Sequence, residues 1–183
     1  GTSFTVNGLT PNTSYSFSVV ARDNAGNVSS PSNVVTTTTN APPANTNLAL
    51  GKPTAESGHT QGYGSGNVVD GNANSYWESP NNAFPQWVQV DLGAATSVGR
   101  VVLKLPPQAA WQTRTQTLSI QGSTNGSSWS TLSASAGRVF NPATGNAVTV
   151  TFTATSTRHV RVNVTGNTGW PAGQLSEIEV YAS

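Results

Sequence analysis

The chain has 183 residues, with eight Lys and Arg against seven Asp and Glu for a net charge of +1, and it contains neither Cys nor Met. Disulfides and thiol chemistry are therefore excluded, and the sparse cations form no basic stripe for phosphates, which argues against nucleic acid. No apolar run reaches the roughly 18 residues of a membrane-spanning helix. Abundant Thr, Ser, Asn and Gly, interleaved with β-branched and aromatic residues, fit an all-β protein with polar turns rather than a disordered chain.

In chain order, Phe4 and Val6 in SFTVNGL alternate with polar residues, as do Tyr15, Phe17, Val19 and Ala21 in YSFSVVA. That period of two predicts half-buried strands. LTPNTSY and ARDNAGNVS read as turns, and NVVTTTT as a third strand. TNAPPANT, residues 39–46, is a Pro-stiffened linker. From Asn47 onward WVQVDLG places Val88, Val90 and Leu92 on one face, and GRVVLKL does the same with Val101, Leu103 and Leu105. TLSIQGS, AVTVTF, HVRVNV and EIEVYA alternate as well. Strand-sized runs between Gly, Asn and Ser turns predict a sandwich. The chain begins within a strand pattern and without Met, so it is expected to be a piece of a longer protein.

One polar cluster stands out in a chain so poor in charge: VVDGNANSYWESP, Val68 to Pro80. Calcium takes six to eight hard oxygens, and a Gly-containing turn lets several converge. Asp70, Asn72 and Ser75 are spaced to wrap one small ion. The competing reading is an Asx-rich turn without metal. Trp77 closes the cluster, and the resemblance named below implies that it is a core residue beneath the loop, with Trp87 and Trp129 likewise structural.

Two resemblances follow from these motifs. GLTPNTSYSFSVVARDNAGNVSSPSNVVTTT resembles the last three strands of a fibronectin type III domain, with Tyr15 at that family's corner tyrosine. Residues 1–38 would then be the C-terminal half of such a sandwich. NLALGKPT, DGNANSYW, WVQVDLG, SIQGSTNGSSWSTL, RHVRVNVTG and LSEIEVYA form an ordered series over residues 47–183. This series resembles the discoidin family, also called coagulation factor V/VIII type C domains, and within it the bacterial family 32 carbohydrate-binding modules. The resemblance implies an antiparallel β-sandwich of jelly-roll type, with binding loops at one end. It implies a secreted, non-catalytic module attached to a larger polysaccharide-degrading enzyme. It also implies a structural calcium ion, held by Asp70, Asn72 and Ser75 together with Glu177, the carbonyl of Ser176 and that of Asn67.

Sugar recognition needs an aromatic face for the ring and fixed polar groups for its hydroxyls. The loop candidates are Trp111 and Arg114 in AAWQTRTQT, Trp170 in NTGWPAGQ, Glu78 after the DGN motif, and His59 and Tyr63 in SGHTQGYGSG. Relatives that bind galactose carry His where this chain has Glu78, so the ligand is left open among α- and β-glucans, chitosan and galactosides. Glycoside hydrolysis needs two opposed carboxylates. Asp23 lies in the fibronectin-like part, Asp70 and Glu177 go to the ion, and Asp91 resembles a structural position. Glu56, Glu78 and Glu179 form no evident acid and base pair, so no catalysis is expected. The partner is expected to be a polysaccharide or oligosaccharide, bound by a monomeric module. The runner-up is a discoidin-type adhesion domain for a protein or membrane surface, against which the polar, Gly-rich loop tips speak. A passive spacer would bury both Trp111 and Trp170.

Overall fold

A computed structural model describes residues 3–11, 13–40 and 45–183. Asn12 of the first turn and residues 41–44 of the expected linker lie outside the described residues. The chain divides into two compact units, Gly1–Pro43 and Ala44–Ser183.

In the first unit β1 (Ser14–Phe17) pairs antiparallel with β2 (Val35–Thr38). The phenolic oxygen of Tyr15 accepts the backbone N–H of Thr10 at 2.9 Å, closing a corner across the turn. Beyond Phe17 the pairing continues through hydroxyls. Val19 N–H donates to Ser32 Oγ and Ala21 N–H to Ser29 Oγ, both at 2.9 Å. A side-chain acceptor replaces the backbone carbonyl there, so the expected strand through Ala21 ends early. The strand expected at Phe4 and Val6 does not form. A strand needs a partner ladder, and Phe4 is 91 % exposed.

The second unit is an antiparallel β-sandwich of the jelly-roll kind. Its strands are β3 (Thr54–Glu56), β4 (Trp77–Glu78), β5 (Gln86–Lys104), β6 (Arg114–Ser123), β7 (Ser130–Phe140), β8 (Ala147–Asn167), β9 (Gln174–Leu175) and β10 (Glu177–Ala182). The large sheet runs β10-β5-β8-β6-β7, with β3 also on β5, and β4 pairs with β9 in a small one. Among the described residues the helical turns are three short 3-10 segments.

Two long strands organise the unit. The sequence predicts WVQVDLG and GRVVLKL as separate strands, and likewise AVTVTF and HVRVNV. Each couple instead merges, into β5 and β8. The two halves of β5 pair with the two halves of β8, with register breaks between Asp91 and Thr96 and between Val98 and Arg100. Such bulges bend a strand without ending it, letting it turn a corner of the sandwich. Alternation then fills the core. Val88, Val90, Val101, Leu103, Val160, Val162, Val164, Ile178 and Val180 are fully buried. Trp77 is fully buried among them, as the sequence suggests, and its Nε1–H donates to the Gly58 carbonyl at 3.1 Å.

Outward-facing pairs fasten the strands. Arg158 Nε and Nη2 donate to Asp91 Oδ1 and Oδ2, both at 2.7 Å. The Arg158 hydrogen bonds hold the Asp91 carboxyl well down, to about 2, against burial. The structural place expected for Asp91 is thus a fork of two charge-assisted bonds.

Candidate functional site

Alternation along β4 sets the site. Trp77 points into the core, so its neighbours Tyr76 and Glu78 turn the other way. Glu78 pairs with Gln174 across the β4–β9 ladder. Buried Gln116 on β6 locks β9 in place: its Nε2 donates to the Gln174 carbonyl at 2.7 Å, and its Oε1 accepts the Gln174 N–H at 3.0 Å. Asn167 Nδ2 donates to the Ala172 carbonyl at 2.9 Å, tying down the loop that carries Trp170.

These elements enclose a cleft of about 230 Å³, lined by Tyr76, Glu78, Trp111, Arg114, Trp170 and Gln174, with Ala110 at the rim. Of the sequence candidates, Trp111, Arg114, Trp170 and Glu78 meet here. Trp170 is the exposed wall, 47 % accessible, whereas Glu78 and Arg114 are 7 % and 9 % accessible. Trp111 is half-buried and packs against the core.

The floor is a hydrogen-bonded row of polar groups. Trp170 Nε1–H donates to Glu78 Oε1 at 3.2 Å, and Gln174 Nε2 donates to Glu78 Oε2 at 2.7 Å. Arg114 Nη1 donates to Gln174 Oε1 at 2.7 Å, and its Nη2 donates to the Trp111 carbonyl. The guanidinium carbon lies 4.9 Å from the Trp111 ring centroid, a cation–π contact. Burial draws the Arg114 guanidinium down and the Glu78 charge opposes it. Arg114 Nε is buried with no partner among the described residues, lying close to the Gly169 backbone. The arrangement offers one exposed indole face, one carboxylate, one guanidinium and one amide, all fixed in advance.

His59 and Tyr63 do not line this cleft. His59 Nδ1 sits 2.5 Å from Glu56 Oε1. Tyr63 stacks on Tyr76, with centroids 4.5 Å apart, and Tyr76 meets Trp111 edge-on at 4.7 Å. Tyr63 therefore stands behind the wall. Burial, with help from Tyr63, pushes the Tyr76 phenol up, so it stays a neutral donor. Tyr76 and Gln174 are lining residues that the sequence reading missed. The signal for Tyr76 was its spacing, two before Glu78 and just ahead of β4. Gln174 carries no local signal, because only the β4–β9 pairing brings it in.

The residues expected at the ion gather at another place. Asp70 Oδ1 accepts the Asn72 N–H at 2.8 Å, and Asp70 Oδ2 accepts the Ser75 hydroxyl at 2.6 Å. Asn67 Nδ2 donates to the Tyr76 carbonyl at 2.8 Å, which holds the loop against β4. Glu177, 4 % accessible, faces Asp70; burial and the Asp70 carboxylate push it up to about 7. Glu177 Oε1 and Ser176 Oγ are buried without partners among the described residues. Two carboxylates converging, one of them with a buried unpartnered oxygen, are destabilising alone and suit a hard cation. No group of three His, Cys, Asp or Glu forms among the described residues, so an ion here would take its other ligands from amides, hydroxyls and carbonyls.

The fold and site thus define a β-sandwich domain with an aromatic-walled, polar-floored cleft between its loops. Residues 67–162 match the family model described as the F5/F8 type C, NedA-like, galactose-binding domain, and the chain belongs to that family. Residues 1–38 match the fibronectin type III domain. Among solved structures, chitosan-binding module 2 of a chitosanase/glucanase from Paenibacillus sp. IK-5, in complex with chitotriose, is 35 % identical. Its TM-score is 0.58, with 74 % of this chain and 100 % of that one covered. Module 1 of the same enzyme is 32 % identical, with a TM-score of 0.62 and coverages of 75 % and 99 %. Chitinase A1 of Niallia circulans is 48 % identical over 54 residues, which is 30 % of this chain and 8 % of that enzyme. The chain thus spans a small part of that curated relative's length.

Proposed function

We propose that the chain is a non-catalytic carbohydrate-binding module that tethers a secreted polysaccharide-degrading enzyme to its glycan, and that its cleft takes amino-sugar oligosaccharides of the chitosan type. The observation that carries this reading is the convergence of Trp170, Trp111, Arg114, Glu78 and Gln174 on one cleft. Trp170 would stack on a sugar ring. Arg114 and Gln174 would meet pairs of hydroxyls. Glu78 would hold the ammonium group of a glucosamine unit, a charge-assisted contact stronger than one to a neutral hydroxyl. Two relatives above 30 % identity are chitosan-binding modules, which supports this choice over a galactoside. Glu78 is the cleft's carboxylate, and hydrolysis would call for a second one opposite it.

Calcium would be a structural ion, held by Asp70, Asn72, Ser75 and Glu177 with the carbonyls of Asn67 and Ser176. When bound it supplies charge that lets both carboxylates stay ionised. Its effect on the cleft would be indirect, by anchoring the 67–75 loop that leads into β4.

The test is a calorimetric titration of the full chain with the glucosamine trisaccharide and with cellotriose, which carries a hydroxyl in place of each amine. The glucosamine trimer should bind at least ten times more tightly, the value of about 1.4 kcal/mol. Equal affinities would reject the amino-sugar assignment, and no heat from either would reject the cleft as a glycan site.

A further inference from the structure

Strand β6 starts at the first cleft with Arg114 and ends at Ser123. Nine steps at about 3.3 Å each carry it roughly 30 Å to the other end of the sandwich. There, where β6 turns into β7, a second cleft of about 210 Å³ opens. Trp129 borders it, with the hydroxyl residues Ser123, Thr124, Ser128, Ser130 and Ser156. Every one of these side chains is uncharged, unlike the first cleft with its Glu78 and Arg114.

Trp129 reads from sequence as packing, and in the structure it is packed on a fixed cation while also lining this cleft. The Arg161 guanidinium carbon lies 3.8 Å from the Trp129 ring centroid and 4.0 Å from that of Trp87. Arg161 is itself fixed, donating through Nε and Nη2 to Gln89 Oε1 at 3.0 and 2.7 Å. His159 meets Trp129 edge-on at 6.4 Å. The turn is equally rigid: Asn125 Oδ1 accepts the N–H groups of Ser127 and Ser128 at 2.9 and 2.8 Å, and Ser123 Oγ accepts that of Gly126 at 2.9 Å. Thr124, Ser128 and Ser156 are exposed around the indole. A propped indole ringed by accessible hydroxyls, with little left to order on binding, is the equipment for a sugar ring and its hydroxyls.

We propose that this cleft is a second carbohydrate-binding site, taking a neutral hexose unit stacked on Trp129. The proposal goes beyond the function assigned to the first cleft and does not depend on it. Two sites roughly 30 Å apart by the strand rise would let one module grip a polysaccharide chain twice, or bridge two chains, raising avidity through effective concentration.

The experiment is two-dimensional 1H–15N NMR of the full chain, titrated with cellotetraose, laminaritetraose and maltotetraose. At least one should shift the Trp129 indole N–H and the amides of Thr124 and Ser128 saturably, in the wild type and equally in Trp170→Ala. Trp129→Ala should weaken that binding at least tenfold. Because that variant also uncovers Arg161, Ser156→Gln, which leaves the stack intact and narrows the cleft, should weaken it as well. Trp129 signals that stay fixed with all three glucans would overturn the proposal. So would shifts that vanish in Trp170→Ala, since they would originate in the first cleft, or shifts unchanged in Ser156→Gln. Failure of glucosamine binding at the first cleft, with Trp129 still responding, would leave this site standing.

Discussion

The indole N–H of Trp170 donates to the carboxylate of Glu78, 3.2 Å away and 92 positions earlier in the chain. One partner is the most exposed wall of the cleft and the other is nearly buried in its floor. The bond fixes the plane of the platform while leaving Oε1 and Oε2 further lone pairs for a ligand. The polar groups of the cleft are therefore oriented in advance, which would reduce the ordering cost of the proposed sugar binding.

The loop behind Trp170 passes very close to Arg114. A Cβ added at Gly169 would lie 2.9 Å from both Cβ and Nε of Arg114. Gly169→Ala should push the guanidinium from its place and weaken glucosamine-trimer binding at least fivefold, since small misplacements of polar groups are costly. The melting temperature should fall by only about 2–4 °C, equivalent to roughly 1 kcal/mol in a protein of this size. Calorimetry and a thermal melt on the same sample separate the two effects.

Calcium should stabilise the chain. At a free concentration one hundred times its dissociation constant the gain is about 2.7 kcal/mol, or roughly 5–10 °C in melting temperature. Excess chelator should remove it. Asp70→Ala and Glu177→Gln should each abolish the difference between the two conditions, and identical wild-type melts with calcium and with chelator would count against the ion.

The Asp91–Arg158 fork should appear on the acid side of the stability curve. Asp91 is depressed in the folded chain from 3.8 to about 2, chiefly by Arg158. Its contribution is therefore complete above about pH 4 and is lost as pH falls through 2. Arg158 is 43 % exposed, so solvent screening holds the contribution to about 1 kcal/mol or less. In urea unfolding between pH 6 and pH 2, Asp91→Asn should be less stable than the wild type above pH 4, with the gap closing towards pH 2.

The parts of this protein legible in its sequence are those written at short range. Period-two alternation marked Val88, Val90 and Leu92, and likewise Val160, Val162 and Val164, and each set faces the core. It could not show that β5 continues through GAAT, because that depends on β8 lying alongside both halves. The same divide runs through the site. Trp111, Arg114, Trp170 and Glu78 were picked out on residue type and loop position, and the fold brings them together. Gln174 was not, because its place depends on pairing with a residue 96 positions away. Tyr63 was grouped with the ligand candidates, and only the stacking on Tyr76 shows it as a support. Trp129 read as packing, and it stacks on Arg161, whose other neighbour is Trp87; no local pattern announces that the same indole borders a cleft.

The most direct measurement is the affinity of the full chain for the glucosamine trisaccharide, by calorimetry, in the wild type, Trp170→Ala and Glu78→Gln. Trp170→Ala should lose binding by at least tenfold through loss of the platform. Glu78→Gln keeps an acceptor for the Trp170 indole but removes the charge. It should lose ten- to a hundredfold, the roughly 1.5–3 kcal/mol of a hydrogen bond to a charged group. Wild-type affinity in both variants, with the fold intact, would contradict the account.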